Sequence, residues 1–299
     1  MNLFRTLGFC LLAALISMPA VAQIDPVPDQ AVLMIEQLNA KLEESGSPLR
    51  LVKASFFTQG RGIDDFRRLR TGTKWPYNNL TYVIDGSDVT VDVPAGEVVS
   101  AIQNGYESWN AIANTSINVS QIPDGGANID VLDGTFHPVS GACLSLYDLS
   151  SPNLNLATGQ IFPAADIVVG GWLPAAYFSK CLGSSSILGV TFTFAAGDVN
   201  GDNYVDNLYV EQYYNEGFQW VTSGSVFLGP TNDIESVVVH ENGHALGLDH
   251  FGGPNVNQPF KLHPNGRVFS PEAVMNPYSL GGEKRDPLPT DVAALRTLY

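Results

Sequence analysis

The protein has 299 residues, with 15 Lys and Arg against 30 Asp and Glu, which gives a formal net charge of −15 at pH 7. This length allows one large or two modest domains, and the 44% share of hydrophobic residues excludes a wholly disordered chain. The excess of acidic residues argues against binding to nucleic acid or to anionic lipid, because both attract basic surfaces. Three cysteines are too few for a disulfide scaffold.

Residues 1–22 have the features of an export signal. Met1–Arg5 is a short basic start, Leu7–Ile16 is apolar, and small residues before Gln23 predict cleavage after Ala22. The apolar run is shorter than the roughly 18 residues that can span a bilayer. We therefore expect a secreted or periplasmic protein without stable membrane insertion.

Residues 23–74 differ in charge from the rest of the chain, since they have a net charge of +1 and residues 75–299 have one of −17. Apolar residues at helical spacing from Ala31 to Leu42 predict a short amphipathic helix, and a stretch rich in Gly and Arg follows. Because about fifty residues bury little core alone, we expect this segment to pack against the remainder. It is either a removable pro-segment, which would make the chain a zymogen, or a permanent N-terminal arm.

Residues 75–299 are predicted to form an α/β domain. Pro94–Ala113 has apolar residues at helical spacing. Strands are predicted at Leu80–Asp85, Ser116–Ile122, Asn128–Leu132, Leu188–Ala195 and Leu208–Tyr214. Residues 133–187 are rich in Gly, Ser and Pro and are interpreted as an insertion. Cys143 and Cys181 are expected to pair in an oxidising compartment, with two free thiols as the alternative.

Three of the five histidines lie within residues 240–250. On a helix that begins near Asp233, His240 and His244 share one face because they are four residues apart. Gly247 allows a turn at positive φ, which would bring His250 in as a third ligand. Three protein ligands on Zn²⁺ leave one position for water, as in catalytic rather than structural sites.

Glu241 lies beside His240 and cannot be a ligand on the same face of the helix, but it can contact the metal-bound water. We predict that Glu241 takes a proton from the metal-activated water and returns it to the leaving amine. The alternative is a solvent-facing helix with incidental histidines, but the full pattern of three histidines and one glutamate is rare by chance.

These residues match H-E-x-x-H-x-x-G-x-x-H, and the chain resembles the metzincin metalloendopeptidases that carry this signature. Ala273–Tyr278 is similar to their methionine turn, with Met275 as an apolar floor below the metal. Lys74–Pro76, Leu80–Tyr82 and the end of the chain from Pro289 are similar to the matrixin branch. The resemblance implies an α/β (α+β) metzincin-like fold with a twisted, mixed five-stranded sheet, an active-site helix and a C-terminal helix.

The resemblance also implies an activity, namely that of a secreted, monomeric, zinc-dependent endopeptidase with one catalytic Zn²⁺ and a protein or peptide substrate. Gly189–Gly197 takes the place of an edge strand, against which a peptide would pair through its backbone. The peptide would enter between this strand and the segment from Met275 to Pro289. Residues 23–74 lack the inhibitory cysteine of matrixins, and with only His137 upstream we expect no second, structural zinc.

A second motif has oxygen-bearing side chains at alternate positions, in the manner of a calcium loop. Its residues are Asp198, Asn200, Asp202, Tyr204 and Asp206. The motif departs from that pattern where Asn203 replaces the usual Gly, so an Asx-rich hairpin turn is the alternative. The alternative to an endopeptidase is a calcium-stabilised extracellular binding or adhesion module whose zinc site is vestigial.

Overall fold

The structure is a computed structural model. It describes residues 24–59, 62–69, 72–86, 88–124, 136–137, 142–143, 154–155, 160–161, 165–222, 231–250, 273–279 and 282–299. The predicted export signal and the predicted strand Asn128–Leu132 lie outside these residues. Within the described ranges, no helix is both long enough and apolar enough to cross a bilayer.

Helices and strands are mixed along the chain, which confirms the predicted α+β class. The helices are α1 (Asp29–Glu44), α2 (Ala95–Asn110), α3 (Ala175–Lys180), α4 (Ile234–Ala245) and α5 (Pro289–Leu298). The strands are β1 (Ile24–Asp25), β2 (Arg50–Gln59), β3 (Gly62–Ile63), β4 (Phe66–Arg67), β5 (Thr73–Lys74), β6 (Asn79–Ile84), β7 (Asn118–Gln121), β8 (Phe136–His137), β9 (Ala142–Cys143), β10 (Leu154–Asn155), β11 (Gln160–Ile161), β12 (Ile167–Leu173), β13 (Ile187–Ala195), β14 (Val205–Asn215), β15 (Gln219–Val221), β16 (Thr231–Asp233) and β17 (Tyr278–Ser279).

One mixed sheet forms the centre of the fold. Its strands lie in the order β17-β2-β13-β14-β12-β6-β7, and β4 and β5 pair with β2 and β14. The last five strands of this order come from residues 75–299, so the predicted five-stranded sheet is present within a larger one. Strands β14, β12, β6 and β7 are parallel, whereas β13 is antiparallel to β14.

The prediction that Gly189–Gly197 is an edge strand is wrong. Strand β2, from the N-terminal segment, pairs antiparallel with β13 from Ile187↔Thr58 to Ala195↔Arg50. On its other side, β2 pairs in parallel with β17. The sequence Arg50–Gln59 is a run of mostly apolar and β-branched residues, which suits a strand buried on both sides. The place predicted for a peptide is therefore filled by the protein's own chain.

Two hydrophobic cores lie on opposite faces of the sheet, because alternate residues of a strand point to opposite sides. The core on the α1 side, here the α1 core, contains Val190, Phe192 and Phe194 of β13. Residues 24–74 supply ten of its buried members, Ala31, Met34, Ile35, Leu38, Leu42, Leu51, Ala54, Phe56, Ile63 and Phe66. The N-terminal segment thus packs against the remainder, as predicted, through the apolar face of its helix.

The opposite core, here the α4 core, packs helices α2, α4 and α5 against the sheet. All four tryptophans belong to it, namely Trp75, Trp109, Trp172 and Trp220. Gly105 of α2 allows close packing on α4, because a Cβ there would lie 2.6 Å from Val238 Cγ1. This packing fixes the helix that carries His240 and His244.

The predicted insertion extends too far towards the C-terminus. Residues 167–173 form β12, a fully buried strand between β6 and β14, and α3 follows it. Composition does not reveal this strand, because it contains Gly170 and Gly171 and is followed by Pro174. The run Ile167–Val169 is nevertheless typical of a buried parallel strand.

Candidate metal centre

Helix α4 begins at the predicted residue. The Asp233 carboxylate caps it by accepting from the Ser236 backbone N–H at 2.9 Å. Arg285 donates to the same carboxylate at 2.6 and 3.0 Å, so a charged pair holds the start of the helix. After the helix ends, Gly247 has φ +93°, which confirms the predicted turn. A Cβ at Gly247 would lie 2.6 Å from the Thr73 carbonyl oxygen, so a side chain has no room there.

This turn brings His250 back to the two histidines of the helix. The Nε2 atoms of His240, His244 and His250 lie 3.0, 3.1 and 3.2 Å apart. Tetrahedral zinc with bonds of about 2.0–2.1 Å would separate its nitrogen ligands by about 3.3 Å. A metal ion can be held by a group of histidine, cysteine or acidic side chains whose ligand atoms lie close together. Among the described residues, these three histidines are the group whose ligand atoms lie close enough together.

Each imidazole is oriented through its second nitrogen. His240 Nδ1 contacts the Val274 carbonyl at 2.7 Å, and His244 Nδ1 contacts the Leu248 carbonyl at 2.9 Å. His250 Nδ1 lies 3.1 Å from Asp65 Oδ1. With Nδ1–H donating to these acceptors, each Nε2 keeps its lone pair for a metal. Burial also lowers the pKa of His240 and of His244, which keeps both rings neutral. The residues present therefore fit a zinc ion.

Glu241 lies between α4 and β13 and is completely buried. The Thr191 hydroxyl donates to Oε2 at 2.5 Å, whereas Oε1 is buried without a hydrogen-bond partner. A Cβ at Gly189 would lie 2.7 Å from Oε1, so this glycine makes room for the carboxylate. Burial raises the pKa of Glu241 well above its usual value. A buried carboxyl with one unpartnered oxygen is suited to exchange a proton with a bound molecule.

Met275 packs beneath α4. It is buried, and a Cβ on Gly243 would lie 2.2 Å from its sulfur, so only glycine permits this contact. Asp291 of α5 accepts from the backbone N–H groups of Val274 and Met275 at 2.8 and 3.2 Å. The Val274 carbonyl in turn holds His240, so the C-terminal helix supports a ligand through this short segment.

The N-terminal segment also reaches this centre, which the sequence did not predict. The ring of Phe57 stacks on His240, with centroids 3.8 Å apart. Lys53 donates to the Leu248 carbonyl at 2.9 Å and pairs with Asp249 at 2.7 Å. Asp65 is the acceptor for His250. No metal-binding spacing relates these residues to the histidine motif, because they precede it by more than 170 residues in the sequence.

Residues 198–206 form a turn that already satisfies its own carboxylates. Asp198 accepts from the backbone N–H groups of Gly201 and Asn203, and Asp206 accepts from that of Asn200. The Lys74 ammonium donates to Asp202 at 2.9 Å. The loop is therefore an Asx-rich turn in this structure. Calcium binding by Asp198, Asn200, Asp202, Tyr204 and Asp206 stays a prediction.

Cys181 is disulfide-bonded. It directly follows α3, and its side chain is buried in the α1 core. The side chain of Cys143 lies outside the described residues, so the pairing of these two cysteines stays a prediction.

No protein-family model matches the chain. The chain is 27% identical over 210 residues to matrix metalloproteinase-16 of Mus musculus, which covers 68% of this chain. The match covers 26% of that protein, so the chain spans about a quarter of the relative's length. Together with the converging histidines, this distant similarity supports a metalloprotease in general terms.

Proposed function

We propose that the protein is a secreted, zinc-dependent endopeptidase of the metzincin type, closest to the matrixin branch. The observation that carries this proposal is the convergence of three Nε2 atoms within 3.2 Å of one another beside a buried carboxylate with an unpartnered oxygen. His240, His244 and His250 would hold the zinc, and Met275 would support the helix below it.

When bound, zinc would polarise water and the scissile carbonyl as a Lewis acid. Glu241 would accept the proton of the attacking water and return it to the leaving amine. Thr191 donates to one oxygen of Glu241 and so leaves the other oxygen to exchange the proton. Because burial keeps the imidazoles of His240 and His244 neutral by lowering their pKa, protons compete little with the metal for their Nε2 atoms.

The described arrangement is closed to a peptide. His240 and His244 are 1% exposed and Glu241 is not exposed at all. Strand β2 lies between β13 and β17, and Phe57 covers one face of His240. We therefore infer that hydrolysis needs β2 to leave this position, by displacement or by cleavage of the N-terminal segment.

The test is Glu241→Gln, which keeps the shape of the side chain and removes its basicity. The variant should bind one equivalent of zinc as tightly as the wild type within about threefold. Its hydrolysis of casein or gelatin should fall by at least about 10²-fold, the lower end of general-base contributions. Both proteins are assayed as the full chain and after limited proteolysis, with the new N-terminus read by mass spectrometry. Equal activity of the variant and the wild type would refute the role of Glu241.

A further inference from the structure

The N-terminal segment contacts each of the three histidines, either at the ring itself or at the carbonyl that holds the ring. Phe57 stacks on His240, and Lys53 donates to the Leu248 carbonyl that also holds His244. Asp65 contacts His250 directly, with 3.1 Å between Oδ1 and Nδ1. Lys53 and Phe57 lie on β2, and Asp65 lies between β3 and β4. One segment of the chain, distant in sequence from the histidine motif, therefore contacts the surroundings of all three histidines.

Of these contacts, the one made by Asp65 is the most specific. The other two imidazoles have backbone carbonyls as acceptors within residues 75–299, whereas the acceptor for His250 is a carboxylate from residues 23–74. The side chain of Asp65 is 1% exposed, and its position is fixed from two sides. Arg67 pairs with Oδ2 at 3.1 Å, and the Phe56 backbone N–H donates to Oδ1 at 3.3 Å.

Arg67 links this carboxylate to the loop that carries His250. It pairs with Asp249 at 3.0 Å, and Asp249 also pairs with Lys53. The residue before the third histidine is thus tied to the same segment as the histidine itself. A carboxylate that receives Nδ1–H fixes the tautomer and the ring plane, and it makes Nε2 a stronger donor to a metal.

We propose that Asp65 is a positioning residue for His250, so that the N-terminal segment completes the metal centre of the full chain. This inference rests on the zinc-binding part of the proposed function. It assigns to residues 23–74 a part in metal binding, in addition to the strand that they add to the sheet. A form of the protein that has lost Asp65 should hold zinc more weakly.

The experiment measures zinc affinity of the metal-free full chain by competition with a chromophoric chelator. Asp65→Ala should bind zinc about 10- to 100-fold more weakly than the wild type, the usual effect of losing such a partner. Asp65→Asn keeps an acceptor oxygen without the charge, and it should fall between the two. Asp64→Asn is the matched control, because Asp64 is exposed, contacts no histidine among the described residues, and as Asn keeps the oxygen that accepts from the Asp65 backbone N–H.

A second measurement separates positioning from mere folding. With Co²⁺ in place of Zn²⁺, the visible absorption of Asp65→Asn should differ from that of the wild type, and the control should not. Asp65→Ala that melts like the wild type without metal and binds zinc equally well would overturn the inference. If Asp65→Ala does not fold, a wild-type affinity and cobalt spectrum for Asp65→Asn would overturn it. Failure of the wild type itself to bind zinc would instead refute the proposed function.

Discussion

Leu38→Ala tests whether the N-terminal segment and residues 75–299 unfold together. Leu38 is fully buried on the inner face of α1, in the α1 core. Removing a buried leucine side chain costs about 2–5 kcal/mol, and at zero exposure we expect about 3 kcal/mol. For a domain of this size, each kcal/mol lowers the melting temperature by about 2–4 °C, so the loss should be about 6–12 °C.

The assay is thermal and urea unfolding followed by tryptophan fluorescence, with zinc held constant. All four tryptophans lie in the α4 core, on the other side of the sheet from Leu38. A shifted fluorescence midpoint therefore shows that α1 is coupled to the domain. Leu33→Ala is the control on the same helix, because Leu33 is 59% exposed and should change stability by less than about 0.5 kcal/mol. An unchanged midpoint in Leu38→Ala would contradict the shared unfolding unit.

Two further predictions concern the floor of the site and the acidic loop. Gly243→Ala places a methyl group 2.2 Å from the Met275 sulfur, so overpacking should destabilise the protein by about 1–3 kcal/mol in urea unfolding. Gly96→Ala on α2 is its control, since a Cβ there meets nothing within 4 Å and should leave stability unchanged or slightly higher; equal behaviour of the two variants would refute the contact. If residues 198–206 bind calcium as predicted, adding calcium to chelator-treated protein should raise the melting temperature saturably, and magnesium should not; an unchanged melting temperature would contradict the calcium site and favour the turn in which Lys74 pairs with Asp202.

The residues of the metal centre could be predicted because the information for them is local. A helix places His240 and His244 on one face, and Gly247 provides the turn that only a residue without a side chain can make there. The capping role of Asp233 also follows from residues within one turn.

The contributions of Asp65 and Phe57 could not be predicted, since they depend on which strand takes the free side of β13. No local feature of β2 identifies the strand with which it pairs, because the backbone groups of a strand can form hydrogen bonds with any extended segment. The buried run at β12 was missed for a different reason, as its glycines resemble those of a loop. The contacts of Phe57 and Asp65 with the histidines therefore become visible only when the sheet is assembled.

The position of β2 has a practical consequence for anyone who looks for substrates. A tethered strand competes with an added peptide at an effective concentration on the order of millimolar. Short peptides at micromolar concentration, which pair only through their backbone, are then outcompeted in the intact chain. Under the proposed function, compact zinc chelators, which need no strand pairing, are therefore better first probes of the intact chain than peptide libraries.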